Sequence, residues 1–135
     1  MSAVGVVIRV LVVDDHGPFR AAVGVLCMAD GGLEVVAEAA SVAGALSALE
    51  TLGTAPDLVV LDVNLGTADG GVDGTEGARL LVARRPGLPV VLCSTAAPAE
   101  LPPLPHGPSI TFVPKQNLDA GVLHAWYEHC AGATR

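Results

Sequence analysis

Five short runs of apolar residues recur along the chain, each bounded by Gly, Pro, Ser or Asp residues. They cover residues 8–13, 33–39, 58–63, 89–94 and 110–113. Val, Leu and Ile dominate these runs, and a run with few polar positions indicates a strand that is buried on both of its faces. The pattern therefore predicts five strands of a sheet that is covered on both sides.

Between the runs lie segments whose apolar positions recur with the spacing of an amphipathic helix. A Gly-Pro pair at 17–18 begins the first helix and a Gly-Gly pair at 31–32 ends it, since proline fits the first helical turn and glycine stops a helix. Three polar residues are predicted to be the N-caps of the later helices, namely Ser41, Thr75 and Asn117.

The alternation of strands and helices predicts an α/β fold with a doubly wound, five-stranded parallel sheet, in one domain over residues 6–132. A length of 135 residues suits one domain. Only 3% of the residues are aromatic, so Val, Leu and Ala must fill the core. Cys27, Cys93 and Cys130 lack a metal-type spacing and are expected to be reduced thiols, two or more of them in the core.

Residues 96–108 carry five prolines in the place where the alternation requires a fourth helix. A proline inside a helix costs about 3 kcal/mol, because it removes a hydrogen-bond donor and clashes with the preceding turn. At most one turn near 98–101 is compatible with these prolines. We therefore expect the fourth helix to be short or absent.

The formal net charge is -7, and an acidic surface repels a phosphate backbone, so this chain alone is not expected to bind nucleic acid. No apolar run approaches the roughly 18–20 residues of a membrane span. The apolar start of the chain lacks the basic segment of a signal peptide. We expect a cytoplasmic protein that does not contact a membrane.

Polar side chains stand at the carboxyl ends of four predicted strands, where a doubly wound sheet binds its ligands. They are Asp14, Asp15, Asp62, Ser94, Thr95 and Lys115. Crowded carboxylates repel one another, and a hard divalent cation such as Mg²⁺ relieves that repulsion. A lysine and a hydroxyl beside them would complete a pocket for an anion. Each residue alone is compatible with a solvated loop, but their common rim predicts a site.

Four pieces of the sequence, taken in order, resemble the receiver domain of two-component response regulators. They are Val-Val-Asp-Asp-His at 12–16, Pro-Asp-Leu-Val-Val-Leu-Asp-Val-Asn-Leu at 56–65, Val-Val-Leu-Cys-Ser-Thr-Ala at 90–96 and Phe-Val-Pro-Lys at 112–115. The Asp-Asp-His start is most similar to regulators with a C-terminal helix-turn-helix DNA-binding domain. The resemblance implies the flavodoxin-like receiver fold. It also implies a histidine kinase or phosphotransfer protein as partner, and an effector protein or separate output domain.

The resemblance implies a role for each matching residue. Asp62 would be the phosphoacceptor, and Lys115 would pair with the phosphoryl charge. Asp15 and Asp62 would ligate Mg²⁺ directly, Asp14 mostly through water, and the backbone carbonyl of Asn64 would be a further ligand.

Two hydroxyls compete for the phosphoryl group. The family places its Ser or Thr at the fifth position after a proline, and counting from Pro89 favours Ser94, with Thr95 as a close rival. Phe112 fits the position of the aromatic whose rotamer switches on phosphorylation.

Two departures from the family support an alternative function. Gly66 replaces the usual proline in a loop that is longer than usual before Asp73, and the missing fourth helix belongs to the family's output face. The alternative is a pseudo-receiver, which keeps the fold as a protein–protein interaction module without phosphorylation. A phosphatase of the haloacid-dehalogenase type needs a second Asp where this chain has Asn64, so we predict a signalling domain that is not an enzyme.

Overall fold

The computed structural model describes residues 7–51, 56–65, 73–96, 100–101 and 103–133. In chain order the elements are β1 (Ile8–Val13), α1 (Gly17–Asp30), β2 (Leu33–Ala39), α2 (Val42–Thr51), β3 (Leu58–Asp62), α3 (Gly74–Arg84), β4 (Val90–Ser94), β5 (Ile110–Pro114) and α4 (Ala120–Ala133), with a 3-10 turn at Lys115–Asn117. Each strand lies within one residue at either end of its predicted range. This alternation confirms the predicted α/β fold.

The five strands form one parallel sheet in the order β2-β1-β3-β4-β5. β1 lies directly beside β3, with Val13 opposite Leu61. Asp14 and Asp62, which come one residue later on these two strands, are therefore neighbours at the same edge. The doubly wound order thus brings together acidic residues that are far apart in the sequence.

The core consists of two layers, one on each face of the sheet. Successive strand residues alternate between the layers, as Leu11 and Val12 do, because strand side chains point to opposite faces. The layer beneath α2 and α3 includes Val42, Ala45, Ala78 and Leu81. The layer beneath α1 and α4 includes Val23, Cys27 and Leu123. The inner strands β1, β3 and β4 are buried on both faces, in agreement with their apolar runs. The edge strands β2 and β5 are only partly buried, so the prediction of full coverage was wrong for these two.

The N-cap of α3 is Asp73 and not Thr75, so that prediction was wrong. Asp73 Oδ1 accepts hydrogen bonds from the Glu76 N–H at 3.1 Å and from the Thr75 hydroxyl at 2.7 Å. The backbone N–H of Gly74 donates to the carbonyl of Val63 at 3.0 Å, and this bond starts the helix at Gly74. Asp and Thr are both good N-caps, and the contact with β3 selects between them.

The prediction of Asn117 as the cap of the last helix was also wrong. Asn117 lies in the 3-10 turn, α4 begins at Ala120, and Asp119 Oδ1 accepts from the Val122 N–H at 2.8 Å. Leu118 packs against the core between turn and helix, which separates the two. By contrast, the predicted Ser41 cap agrees with the structure, since its Oγ accepts from the Gly44 N–H at 3.0 Å.

The proline-rich segment contains no α-helix in its described part, which comprises residues 100–101 and 103–109. This agrees with the expectation that the helix before β5 is short or absent. Residues 97–99 and 102, on which part of the allowed single turn would fall, lie outside the described residues.

All three cysteines are buried free thiols, as predicted. Burial raises the pKa of the Cys27 thiol to about 11 and that of Cys93 to about 12. In the part of the chain that the structure describes, no helix has both the length and the apolar composition to cross a membrane.

Replacing Asp73 with Ala is expected to lower the free energy of unfolding by about 1 kcal/mol, because the first turn of α3 loses its cap. The hydrogen bonds from Thr75 and Glu76 hold the pKa of Asp73 below its usual value. A carboxyl whose pKa is lowered by folding stabilises the native state above its unfolded pKa, and the stabilisation disappears as the pH falls through its native pKa. Urea unfolding of both proteins at neutral and at acidic pH measures this; a difference that does not shrink in acid would contradict it.

Candidate functional site

Three carboxylates meet at the carboxyl edge of the sheet. One oxygen from each of Asp14, Asp15 and Asp62 lies within 4.8 Å of the other two. Asp14 is fully buried, Asp62 is 6% exposed and Asp15 is exposed. The two strand ends therefore hold two buried acids side by side, with a third at the surface above them.

Lys115 provides the positive charge of this cluster. Its Nζ lies 2.7 Å from Asp14 Oδ2 and 3.8 Å from Asp62 Oδ1. The Lys115 side chain is only 14% exposed, so these charges interact with little screening by water. The backbone N–H of His16 donates to the other oxygen of Asp14 at 2.8 Å. Asp14 thus has a partner on both oxygens, which makes its burial tolerable.

The Asp62 carboxyl has a pKa above its ordinary value. Burial is the larger cause, and the charge of Asp14 is the next. Lys115 and the backbone N–H of Asn64, which lies 3.3 Å from Asp62 Oδ1, oppose the rise. The site therefore disfavours a full set of negative charges in the absence of a cation.

Of the two candidate hydroxyls, Ser94 points into the protein and Thr95 is exposed. Ser94 Oγ accepts from Asn64 Nδ2 at 3.2 Å and from the Ala96 N–H at 3.0 Å. The Asn64 side chain thereby connects the end of β3 with the end of β4. Ser94 is linked to the residues around Asp62, whereas Thr95 lines a neighbouring groove.

Phe112 lies on β5 opposite Leu92 of β4 and packs, partly buried, against the core on the α2 and α3 side. It lines a cavity of about 250 Å³ together with Leu104 and Ile110. That cavity adjoins the proline-rich segment. Phe112 thus borders a cavity beside the described part of the proline-rich segment.

A groove of about 580 Å³ runs beside the acidic cluster, between α1 and the residues that follow β5. It is mostly apolar and includes Phe19, Thr95 and Lys115 among its lining residues. Lys115 Nζ lies over the ring of Phe19, 4.2 Å from the ring centroid. Sequence reasoning did not single out Phe19, although a helix that begins at the same rim as Asp14 must bring its first-turn side chains to the site.

Gly74 is a second residue that the sequence analysis missed. A Cβ at this position would lie 1.9 Å from the carbonyl oxygen of Asp62 and 2.8 Å from the Cα of Val63. The start of α3 therefore lies directly on the backbone of the strand end that carries Asp62. An Asp-Gly pair at the start of a helix was the available signal, since glycine permits such close approach.

The fold and this site define a receiver-type domain. A sequence model described as the response regulator receiver domain matches residues 10–102, which is more than half of the chain. The chain belongs to this family, and the suspected resemblance is confirmed.

Curated relatives include two proteins named protein-glutamate methylesterase/protein-glutamine glutaminase. The relative from Nocardioides is 38% identical over 112 residues, which is 80% of this chain and 29% of the relative. The relative from Rhodopseudomonas palustris BisB18 is 36% identical over 88 residues, which is 65% of this chain and 22% of the relative. The chain thus spans less than a third of the length of these proteins.

Two solved structures are also similar to the chain. The signal receiver domain of NarL from Mycobacterium tuberculosis has a TM-score of 0.70 and 26% identity, and the match covers 93% of this chain and 98% of that one. NtrX from Brucella abortus has a TM-score of 0.73 and 25% identity, and the match covers 93% of this chain and 28% of that one. The chain therefore matches nearly the whole of the first structure and about a quarter of the second.

Proposed function

We propose that this domain, over residues 6–132, accepts a phosphoryl group on Asp62 in a Mg²⁺-dependent reaction and switches conformation to control an output in the cytoplasm. The observation that carries the proposal is the acidic cluster, in which Lys115 lies close to the buried carboxylates of Asp14 and Asp62. Burying charged groups is costly, and a pseudo-receiver has no need to keep two buried carboxylates and an ammonium together.

The proposed reaction is a phosphoryl transfer to a carboxylate. One oxygen of Asp62 forms a bond to phosphorus, the bond from phosphorus to the donor breaks, and the donor leaves with that electron pair. The product is an aspartyl phosphate. Lys115 compensates the charge of the phosphoryl oxygens, and electrostatic stabilisation of this kind is the main contribution of proteins to phosphoryl transfer.

The donor set of the cluster suits Mg²⁺. Magnesium binds oxygen ligands at about 2.0–2.1 Å, so two of its ligands are at most about 4.2 Å apart. The three carboxylate oxygens lie within 4.8 Å of one another, so a small closure suffices. Asp15 and Asp62 would hold the ion directly, Asp14 through water, and the Asn64 backbone carbonyl would complete the protein ligands. A bound Mg²⁺ would offset the negative charge of Asp14, which after burial is the next cause of the raised pKa of Asp62.

We propose Ser94 for the hydrogen bond to the phosphoryl group, supported by its burial and its bond with Asn64. Thr95 instead borders the groove. Phe112 is proposed as the residue whose rotamer responds to phosphorylation, supported by the cavity beside it.

The phosphodonor would be a histidine kinase or phosphotransfer protein. The groove beside the acidic cluster is lined by Lys115 of that cluster, so we propose this groove as part of the donor's docking surface. The output would lie in an effector protein or a separate output domain. That this chain is not itself an enzyme, and that it does not bind nucleic acid or a membrane, stay predictions.

Acetyl phosphate is expected to label the chain with an acyl phosphate, labile in strong acid, in alkali and to hydroxylamine, in the presence of Mg²⁺, and EDTA is expected to prevent the labelling. Hydroxylamine cleaves an aspartyl phosphate, which is an acyl phosphate, but leaves phosphoserine intact, so hydroxylamine treatment of the labelled protein distinguishes the two. Titration with beryllofluoride and Mg²⁺ gives a second measurement that needs no turnover. Labelling that does not depend on Mg²⁺, or no response to either reagent, would favour the pseudo-receiver instead.

A further inference from the structure

The Lys115 ammonium has three close neighbours of different chemistry. It forms an ion pair with Asp14 at 2.7 Å, approaches Asp62 to 3.8 Å, and lies over the Phe19 ring, 4.2 Å from its centroid. A cation within about 6 Å of a ring centroid is attracted by the negative face of the π system. The contact between the Lys115 ammonium and the Phe19 ring is therefore attractive, so Phe19 does more than line the groove.

Phe19 is well held for such a contact. It lies in the first turn of α1, directly after Pro18, and packs against the buried cluster between α1, α4 and the sheet. Packing fixes the ring, whereas a lysine side chain has four flexible torsions and loses much entropy when it is held in place. A fixed ring beside a flexible ammonium restricts where that ammonium can go.

We propose that Phe19 is a positioning residue that keeps the Lys115 ammonium at the mouth of the acidic cluster, within reach of both Asp14 and Asp62. This inference rests on the proposed function, in which Lys115 pairs with the phosphoryl group on Asp62. The ring face attracts a cation over a broad area, so the ammonium can move from Asp14 toward a phosphorylated Asp62 without losing that attraction. Without the ring, Lys115 is free to turn into the open groove.

Graded fluorination of the Phe19 ring tests the proposal, since fluorine weakens the negative ring face while the ring keeps nearly the same shape. The rate of labelling by acetyl phosphate is expected to fall stepwise with one, two and three fluorines. Phe19→Leu is expected to be slower than wild type by about threefold to tenfold. Equal rates across the fluorinated series would overturn the positioning role.

The spectroscopic readout is the NMR position of the Lys115 side-chain protons next to Nζ. The Phe19 ring current should move them upfield in the wild-type chain, and Phe19→Leu should return them to ordinary values. The fluorinated rings keep most of their ring current, so an upfield shift that fades along the fluorinated series would report movement of the ammonium away from the ring, which a merely structural role of Phe19 would not produce. Tyr127→Leu is the matched control, because it removes a ring that packs against the same core cluster but lies near Pro89, at the other end of β4. It is expected to change neither the shift nor the labelling rate by more than about twofold.

A double-mutant cycle separates action through Lys115 from a general effect on the fold. In the Lys115→Met background, Phe19→Leu is expected to cause no further loss of beryllofluoride affinity. Losses that multiply in the double variant would overturn the proposal. Absence of labelling and of beryllofluoride binding in the wild type would overturn the proposed function and this role together, whereas wild-type labelling that ignores fluorination overturns the role alone.

Discussion

Asp62→Asn is expected to reduce labelling by acetyl phosphate to the background of the assay while the fold is retained. The amide has nearly the shape of the carboxylate but no anionic oxygen to attack phosphorus. Asp15→Ala is expected to abolish the metal dependence and most of the labelling, because the cluster loses its exposed ligand. The measurement is the initial rate of labelling with and without EDTA.

Asp62→Asn is also expected to stabilise the metal-free protein at neutral pH. Burial and the charge of Asp14 raise the pKa of Asp62, so the native state prefers the protonated carboxyl. The ionised carboxylate therefore destabilises the fold above that pKa, and Asn removes the charge. The difference between the two proteins should shrink as the pH falls and Asp62 becomes protonated. Urea unfolding in EDTA at several pH values follows it.

Glu34→Gln is the matched control for both measurements. Glu34 is an exposed acid on β2 opposite Arg9, near the amino-terminal end of the sheet and away from the cluster. It should leave the labelling rate unchanged. If Asp62→Asn is labelled at the wild-type rate, the receiver mechanism proposed here is wrong.

Gly74→Ala is expected to lower the free energy of unfolding by about 2–3 kcal/mol, within the range for forcing an extra methyl into a packed site. The added Cβ would lie 1.9 Å from the carbonyl oxygen of Asp62, and this neighbour is backbone, which cannot escape by changing a rotamer. The end of β3 must then shift, so we also expect slower labelling of Asp62. Urea unfolding monitored by circular dichroism measures the first effect.

Gly24→Ala is the matched control for Gly74→Ala. Gly24 lies within α1, and a Cβ there would meet no atom within 4 Å. Alanine should stabilise the helix by about 0.5–1 kcal/mol relative to glycine. Opposite signs for the two Gly→Ala changes would confirm that close approach, and not helix propensity, determines the effect at Gly74. A Gly74→Ala protein as stable as wild type would refute it.

The positions of the strands could be predicted from the sequence, because a strand that is buried on both faces consists almost entirely of apolar residues. The runs at 8–13 and 58–63 contain almost only apolar residues, and a strand with one solvated face would alternate instead. The shared rim of Asp14, Asp62 and Lys115 followed from a topological rule about parallel sheets rather than from any local signal.

Helix starts were harder to predict, since several good caps stood close together. Asp73 and Thr75 are two residues apart, and Asn117 and Asp119 likewise. Local propensity hardly separates them, whereas the Gly74 bond to Val63 does. The choice depends on where the helix meets a strand that is distant in the sequence.

The choice between the hydroxyls of Ser94 and Thr95 likewise depends on contacts between distant parts of the chain. Ser94 and Thr95 are consecutive, so their side chains face different surroundings. Which of them faces Asn64 depends on how β4 lies beside β3, and that register is a property of the assembled sheet.

Local burial patterns and the order of the elements predict the α/β class, the parallel sheet and the set of polar residues at one edge of the sheet. They also predict that the helix before β5 is short or absent. The distances within that set required the assembled fold. Lys115 reaches Asp14 across 101 positions of sequence, Phe19 lies under the ammonium, and Gly74 leaves room for the Asp62 carbonyl. Whether a segment forms a helix or a strand is governed by residues a few positions apart. Contacts between elements depend on how whole helices and strands pack. The pattern of apolar and polar residues therefore does not give the distances between side chains of different elements.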